Sequence, residues 1–264
     1  MQKSILASVL LAVFLAFQPA ASQAVVKIKT VEYKDGDTIL EGKVAFDPKF
    51  KDKRPGVLVV HEWNGIGNYV TMRITKLAEL GYIAFAADIY GRGVRPTTMD
   101  DSAKTSTLYK SNRPLMRHRA ELGLAELKKQ PDVDADKLVA MGYCFGGTTV
   151  LELARDGAPM KGFVSFHGGL STPTPLDAKN IKGEVLAFQG ADDSFVPPTE
   201  VEAFEKEMRD GKVNWELVKY GGAVHGFTNP EHGNDASTGL AYQKEADQKS
   251  WEALKVFLNR IFKG

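Results

Sequence analysis

The chain contains a single cysteine, Cys144, and its neighbours favour a chemical role for it. It lies at the centre of GYCFG, a G-x-C-x-G pattern that is followed by a further glycine. A thiol becomes a strong nucleophile when a histidine takes its proton and a carboxylate orients that histidine. Further along, the chain offers Asp193 within GADDSFVP and His225 within HGF. We predict that Cys144, Asp193 and His225 act together as nucleophile, acid and base.

The position of Cys144 between two elements supports this prediction. The run KLVAMGYC predicts a buried strand, and the stretch from Gly146 to Arg155 predicts a helix. Flanking glycines allow a turn so tight that side chains there would meet backbone atoms. The turn pushes the thiol into a cleft at a helix N-terminus, where free N–H groups favour a thiolate. This pattern is typical of the nucleophile elbow of α/β-hydrolases, with sulfur in place of oxygen, and the alternative is a small buried apolar residue.

Chain order and spacing select the two partners of the cysteine. In this fold the nucleophile, the acid and the histidine follow one another along the chain, each just after a strand. After the strand VLAFQG, the G-x-x-D-x-x-V-P spacing favours Asp193, with Asp192 as an alternative or as a turn residue. Only His225 and His232 follow both candidates; His225 comes close behind the strand NWELVKYG, whereas His232 lies in NPEHGNDAS, which is typical of a solvated loop. We interpret His61, at a strand end, as a packing residue.

Apolar strands alternate with helical segments along the rest of the chain. A hairpin is predicted around residues 35–37, and buried strands are predicted at RPGVLVVHEW, YIAFAADIY, KLVAMGYC, GFVSFHG, VLAFQG and NWELVKYG. Helical spacing is found over 69–80, 101–110, 114–129, 146–155, 198–210 and 236–262. The alternation predicts one α/β domain over residues 25–264, with a mainly parallel central sheet and helices on both faces. Reactive groups then gather beyond the carboxyl ends of the strands.

Residues 1–24 have the pattern of a secretory signal. A basic residue, Lys3, precedes an apolar run from Ile5 to Phe17, and small residues lead to Ala24. The apolar run is shorter than the roughly 20 residues of a spanning helix, which argues against the alternative of an uncleaved anchor. We expect cleavage after Ala24, a mature protein without a stable membrane anchor, and a periplasmic or secreted location.

Charge and composition exclude several classes of function. Lys and Arg number 34 against 33 Asp and Glu, so no basic excess is available to neutralise the phosphates of a nucleic acid. The five histidines are scattered and neither H-x-x-x-H nor C-x-x-C occurs, so we predict no metal site. The chemistry of a cysteine triad requires no cofactor. We expect a monomer that acts on a small-molecule substrate.

Taken in order, the motifs resemble those of the dienelactone hydrolase family of α/β-hydrolases. The matching stretches are VVHEWNG, DIYGRG, GYCFGG, GADDSFVP and HGF, and the resemblance covers nearly all of residues 25–264. It implies the α/β-hydrolase fold and a cysteine nucleophile where the commoner enzymes of this fold use serine. It also implies an activity on esters or lactones such as dienelactone.

The resemblance implies further roles outside the triad. Glu62 stands where a glutamate of the family contacts the nucleophile and helps to control its ionisation; the alternative is a surface carboxylate. The backbone N–H groups of Trp63 and Phe145 stand where the family forms its oxyanion hole, and the Trp63 ring is alternatively a cleft wall. Arg92 stands where an arginine binds the substrate carboxylate, or is an ordinary loop arginine. Asn229 has the approximate place of a second arginine, which favours esters or lactones other than dienelactone.

We predict a carboxylic ester hydrolase that works through a Cys-His-Asp triad and a thioester intermediate. One alternative is a carboxylesterase or thioesterase of the same fold with unrelated substrates. Another is a non-catalytic thiol protein that binds a ligand or senses oxidants through Cys144. The stretch GIGNYV at Gly65 lacks the last glycine of a dinucleotide-binding loop, which argues against an oxidoreductase.

Overall fold

A sheet of eight strands organises the protein in the computed structural model, which describes residues 25–263. The predicted signal sequence, residues 1–24, lies outside the described residues, so its cleavage and the export of the protein stay predictions. The strands are β1 (Lys27–Asp35), β2 (Thr38–Phe46), β3 (Arg54–Val60), β4 (Ile83–Ala87), β5 (Val133–Tyr143), β6 (Gly162–Phe166), β7 (Glu184–Gly190) and β8 (Trp215–Tyr220). Their order in space is β1-β2-β4-β3-β5-β6-β7-β8.

The sheet is mainly parallel, as the alternation of elements predicts. Strands β3 to β8 pair in parallel, and β2 runs antiparallel to both of its neighbours, β1 and β4. The sequences IAFAA of β4 and GFVSF of β6 are buried along their whole length. Such continuous apolar runs suit strands that are covered on both faces. The hairpin of β1 and β2 turns at Gly36, whose φ of 55° favours glycine.

Helices cover both faces of the sheet. They are α1 (Asn68–Glu79), α2 (Met99–Lys110), α3 (Arg113–Lys129), α4 (Phe145–Arg155), α5 (Pro198–Asp210) and α6 (Lys244–Lys263). Helices α2, α3 and α4 share a core with Leu58 and Phe85, whereas α1 and α6 share a core with Val57 and Met141. Neighbouring residues of β3 therefore point to opposite layers, and the predicted arrangement of helices on both faces is confirmed. Among residues 25–263, no helix combines the length and apolarity that a bilayer crossing requires.

The last helix begins later than its sequence pattern suggests. Helical spacing predicts a start at residue 236, but α6 starts at Lys244. The residues before it contain a short 3-10 turn, Ala236–Thr238, which ends at Gly239 with a left-handed φ of 76°. Leu240 then forms a parallel β-bridge with His225. The prediction of helix before Lys244 was therefore wrong, because this segment is held against the His225 loop instead.

The carboxyl ends of the parallel strands meet at one edge of the sheet. Glu62 follows β3, Cys144 follows β5 and His167 follows β6. Asp193 lies in the loop after β7, and His225 lies in the loop after β8. Residues far apart in the sequence are thereby brought to one place.

Candidate active site

The turn that carries Cys144 is strained, and only glycine fits beside it. Cys144 has φ 53° and ψ −115°, in the region that side chains rarely adopt. A Cβ at Gly142 would lie 2.1 Å from the carbonyl oxygen of Gly146, and a Cβ at Gly146 would lie 2.2 Å from that of Val60. The two glycines thus permit the backbone to pass close to itself. The half-buried thiol is left at the N-terminal end of α4, which begins at Phe145.

His225 and Asp193 form a line of contacts with this thiol. Nε2 of His225 lies 3.1 Å from Sγ of Cys144, and Nδ1 of His225 lies 2.9 Å from Oδ2 of Asp193. The second oxygen of Asp193 accepts a hydrogen bond of 2.9 Å from the N–H of Phe195. Asp193 is buried, whereas Asp192 is exposed. The structure therefore brings Asp193, and not its neighbour, to His225.

Electrostatics keep His225 in its charged form. Burial alone would lower the pKa of His225, but the negative charge of Cys144 and the hydrogen bond to Asp193 outweigh burial and raise it to about 10. An imidazolium held between a carboxylate and a sulfur atom stabilises a thiolate on that sulfur. The arrangement can therefore supply an activated sulfur nucleophile and a proton for a leaving group.

Glu62 lies buried beside this line and is bonded to a neutral amide. Its Oε2 accepts a hydrogen bond of 2.7 Å from Nδ2 of Asn229. Its Oε1 has no hydrogen-bond partner among the described residues. Burial raises the pKa of Glu62 to about 7, more than the hydrogen bond from Asn229 lowers it. Glu62 is thus a core carboxyl and not the surface carboxylate that was the alternative, and its hydrogen bond goes to Asn229.

His232 has a different environment from the solvated loop that its sequence suggests. Only 14% of its side chain is exposed, and its Nε2 lies 3.9 Å from Oε2 of Glu62. Its Nδ1 lies 3.1 Å from the carbonyl oxygen of Gly226, which fixes the hydrogen on Nδ1. The interpretation of His232 as a solvated residue was therefore wrong, because the chain folds back over the His225 loop.

The candidate Arg92 and the nearby Arg95 are engaged elsewhere. Arg92 forms an ion pair of 2.8 Å with Glu32 of β1, and both side chains are about half exposed. Arg95 donates to the carbonyl oxygens of Ile66 and Val94, at 3.1 and 2.8 Å. A role of Arg92 in substrate binding stays a prediction, since it requires Arg92 to leave Glu32.

The backbone N–H groups of Trp63 and Phe145 are available to an acceptor. Phe145 is the first residue of α4, and an N–H at this position has no partner within its own helix. Trp63 follows Glu62 in the loop after β3, and its side chain is half-buried. Among residues 25–263, no hydrogen-bond acceptor is found for either N–H group. Their position in the loops after β3 and β5 suits donors to an oxyanion.

A cavity of about 470 Å³ opens beside these groups. Its wall is lined by Trp63, Asn64, Pro96, Thr97, Thr98, Met99, Ser102, Asn229, Glu231, His232 and Leu240. Trp63 adjoins Glu62 in sequence, and Leu240 pairs with His225, so two residues of the cavity wall are direct neighbours of residues of the site. Its volume is in the range of small-molecule sites. Within residues 25–263, no group of three or more His, Cys, Asp or Glu side chains is placed to hold a metal ion.

A comparison with models of protein families shows to which family the chain belongs. The family model described as "Dienelactone hydrolase family" matches residues 41–262, a span that includes every residue of the site. The chain belongs to the dienelactone hydrolase family. It is therefore a hydrolase, and the resemblance that its motifs indicate is confirmed.

Two known proteins illustrate this similarity. A relative from Synechocystis sp., described as "Putative carboxymethylenebutenolidase", is 26% identical over 224 residues, which cover 79% of this chain and 87% of the relative. The crystal structure of a dienelactone hydrolase-like promiscuous phosphotriesterase from metagenomic libraries is 38% identical, with a TM-score of 0.85. That match covers 90% of this chain and 99% of the other. The α/β-hydrolase fold is thereby confirmed.

In this family member, a second histidine contacts the nucleophile residue. The N–H of Cys144 donates a hydrogen bond of 3.2 Å to Nδ1 of His167, and Nε2 of His167 lies 2.7 Å from Oγ1 of Thr228. Thr228 is bonded in turn to the hydroxyl of Tyr69, which also accepts a bond of 3.1 Å from Nε of Arg73. Sequence reasoning missed His167 because it precedes the acid in the chain. The sequence feature that could have indicated His167 as a site residue is its position just after β6.

Proposed function

We propose that this hydrolase cleaves carboxylic esters or lactones through Cys144, His225 and Asp193, by way of a thioester. The observation that carries the proposal is the contact of 3.1 Å between Sγ of Cys144 and Nε2 of His225, continued by the contact of 2.9 Å to Asp193. A base on the nucleophile and a carboxylate on the base are the arrangement that acyl transfer requires.

In the first half of the reaction, the sulfur of Cys144 attacks the carbonyl carbon. A carbon–sulfur bond forms, and the carbonyl electron pair moves to oxygen. The N–H groups of Trp63 and Phe145 donate hydrogen bonds to this oxyanion. When the oxyanion collapses, the bond to the alkoxide breaks, and the alkoxide takes the proton from Nε2 of His225. The acyl group remains on Cys144 as a thioester.

In the second half, water replaces the alcohol. Nε2 of His225, now neutral, accepts a proton from water as the water oxygen attacks the thioester carbon. The carbon–sulfur bond breaks, the acid leaves, and the thiolate of Cys144 again faces an imidazolium. Asp193 holds the hydrogen on Nδ1 of His225 throughout, so Nε2 always faces the sulfur. Alkoxides leave more readily than amide nitrogen, so esters and lactones suit this site better than peptides.

Glu62 is proposed to tune the nucleophile through His225. The charges of Glu62 and His225 attract each other, which favours the ionised form of both groups. The hydrogen bond from Asn229 fixes the side chain of Glu62, the residue that directly precedes Trp63 in the chain. A signal sequence over residues 1–24 is part of the same proposal and would place the enzyme in the periplasm or outside the cell.

The proposal is tested by hydrolysis of a panel of short-chain esters and lactones, compared between the wild-type protein and Cys144→Ala. We expect turnover by the wild type and a loss of about 10⁴-fold or more in the variant, with the fold unchanged by circular dichroism. The same panel separates a lactonase from a general carboxylesterase or thioesterase. Normal turnover by Cys144→Ala would refute the nucleophile, and a wild type without turnover on any member would favour a thiol sensor.

Hydrolysis of phosphotriesters is a second candidate function. The similar solved structure is described as a promiscuous phosphotriesterase. The wall of the neighbouring cavity includes Glu231 and, among the described residues, no Lys or Arg, which favours an uncharged substrate such as a phosphotriester. Sulfur would attack phosphorus and expel an alkoxide or phenoxide, which leaves a phosphorylated cysteine for water to release. Release of 4-nitrophenol from a 4-nitrophenyl phosphotriester by the wild type, and not by Cys144→Ala, would support this activity.

A further inference from the structure

We infer that the cavity beside Cys144 admits uncharged substrates and disfavours those that carry a carboxylate, and that Glu231 sets this preference. The inference rests on the proposed cleavage of esters or lactones at Cys144 and names the substrate class of that site. It follows from the charges on the cavity wall.

The wall combines apolar, neutral polar and acidic side chains. Trp63, Met99 and Leu240 supply apolar surface, and Ser102 is one of the neutral hydroxyl residues. Glu231 is exposed at the wall. Of the described side chains that line the cavity, none belongs to Lys or Arg. The negative charge of Glu231 therefore meets any group that enters without a cation beside it.

The backbone holds Glu231 in this place. Its N–H donates a hydrogen bond of 2.9 Å to Oδ1 of Asn229, and the other end of that amide is bonded to Glu62. Asn229 is buried, so the segment that carries Glu231 is tied to the core of the site. The backbone of Glu231 is thus tied to the core of the site, and its exposed side chain lines the cavity from there.

Two arginines of the segment that precedes Pro96 of the wall are engaged elsewhere. Arg92 pairs with Glu32, and Arg95 donates to backbone carbonyl oxygens. His232 lines the cavity, but burial lowers its pKa, which favours the neutral imidazole. Glu62, behind Asn229, adds a carboxyl group that is partly ionised at the same pH, because its pKa is about 7.

A carboxylate that enters the cavity loses hydration, gains no ion pair and approaches a like charge. Each of these changes weakens binding of a charged group, whereas an uncharged ester or lactone loses much less hydration. Like charges repel near a protein surface, and because Glu231 is exposed and screened by solvent, we expect this repulsion to reduce affinity about tenfold. The cavity wall therefore selects substrates by their charge, without contacting the carbonyl group that reacts.

The test uses two activated esters of equal chain length that differ in charge. These are 4-nitrophenyl pentanoate, which is uncharged, and mono-4-nitrophenyl glutarate, which ends in a carboxylate. We expect kcat/KM of the wild type to be about tenfold higher for the pentanoate. In Glu231→Gln the ratio should fall about threefold, and in Glu231→Lys it should approach unity or reverse. Matched control variants are Glu245→Gln and Glu245→Lys on α6, where Glu245 pairs with Lys249 in an exposed salt bridge.

Equal kcat/KM for the two esters would overturn the inference and leave the hydrolase proposal standing. A preference that changes equally in the Glu231 and Glu245 variants would overturn the assignment to Glu231. Alkylation of Cys144 gives a second reading that requires no turnover: iodoacetamide should react faster than iodoacetate, and Glu231→Lys should reduce this ratio. If neither ester is cleaved, the proposed function fails, whereas the alkylation ratio still supports or overturns the charge preference of the cavity.

Discussion

Two buried histidines flank Cys144, and their pKa values are shifted in opposite directions. His225 touches the sulfur and a carboxylate, and its pKa is raised to about 10. His167 touches the N–H of the same cysteine and the hydroxyl of Thr228, and burial lowers its pKa well below the usual value. Both side chains are almost fully buried. The charge of the partners, and not the degree of burial, therefore decides which imidazole is positively charged.

The comparison extends to the carboxyl groups of the site. Asp193 is bonded to His225, which carries a positive charge, whereas Glu62 is bonded to the neutral amide of Asn229. The pKa of Glu62 rises to about 7, chiefly because burial penalises its ionised form. The site thus contains a charged line for chemistry, and beside it a carboxyl group that is held by a neutral amide and keeps its proton more readily.

The largest effect is expected when the charged histidine is removed. His225→Gln should lower kcat/KM about 10⁴-fold, because the base and the proton donor are lost together. The matched variant His167→Gln should lower it far less, since an amide oxygen can still accept the N–H of Cys144. Ester hydrolysis measured at pH 7 separates the two; a larger loss in His167→Gln would reverse their roles.

Removal of the negative charge of Asp193, which orients His225, should have the next largest effect on activity. Asp193→Asn should reduce kcat by about 10³-fold, because the amide no longer stabilises the imidazolium of His225. Asp192→Asn changes an exposed residue and should stay within about twofold. Steady-state kinetics of the two variants make the comparison, and equal losses would contradict the choice of Asp193.

The raised pKa of Glu62 should make the free energy of unfolding depend on pH. Its folded pKa of about 7 lies above the usual 4.5, so the native state binds more protons than the unfolded state between these values. The wild type should therefore lose about 3 kcal/mol of unfolding free energy relative to Glu62→Gln as pH rises from 4.5 through 7. Urea unfolding at several pH values measures this. The exposed control Glu202→Gln should show no such trend, and a parallel trend in both variants would contradict the assignment.

Replacement of His167, the neutral histidine, should affect protein stability more than the rate of hydrolysis. His167→Phe removes the acceptor of the Cys144 N–H and leaves Thr228 with one partner fewer, which should cost about 1–3 kcal/mol of unfolding free energy. Because the N–H of Cys144 also donates to the carbonyl oxygen of Phe166, the rate should fall only about tenfold. Urea unfolding and kcat/KM together test this. A variant with wild-type stability and the low activity of His225→Gln would show that His167 takes part in the chemistry.

Much of the fold and of the site could be predicted from sequence because local rules apply there. The glycine pattern around Cys144 encodes a turn that admits no other side chains, and the apolar runs encode strands covered on both faces. The order of Cys144, Asp193 and His225 along the chain then selects three residues that the structure brings together.

The remainder depends on contacts between distant segments, which no local pattern records. His167 was set aside by chain order, although it binds the backbone of the nucleophile. The ion pair of Arg92 with Glu32 joins the loop after β4 to strand β1, and the two are far apart in sequence. The segment before α6 has apolar residues at helical spacing, yet Leu240 pairs with the His225 loop. Tertiary pairing there overrides the helical pattern.

The central claim is that Cys144 carries the acyl group during turnover. The most direct measurement is the intact mass of the protein after rapid acid quenching during hydrolysis of 4-nitrophenyl butyrate. Because the chain has one cysteine, a single added butyryl group on the peptide that contains Cys144 is the predicted result, and it should be absent from Cys144→Ala. Continued hydrolysis with no acylated species in the wild type, or an acyl group on another residue, would contradict the account.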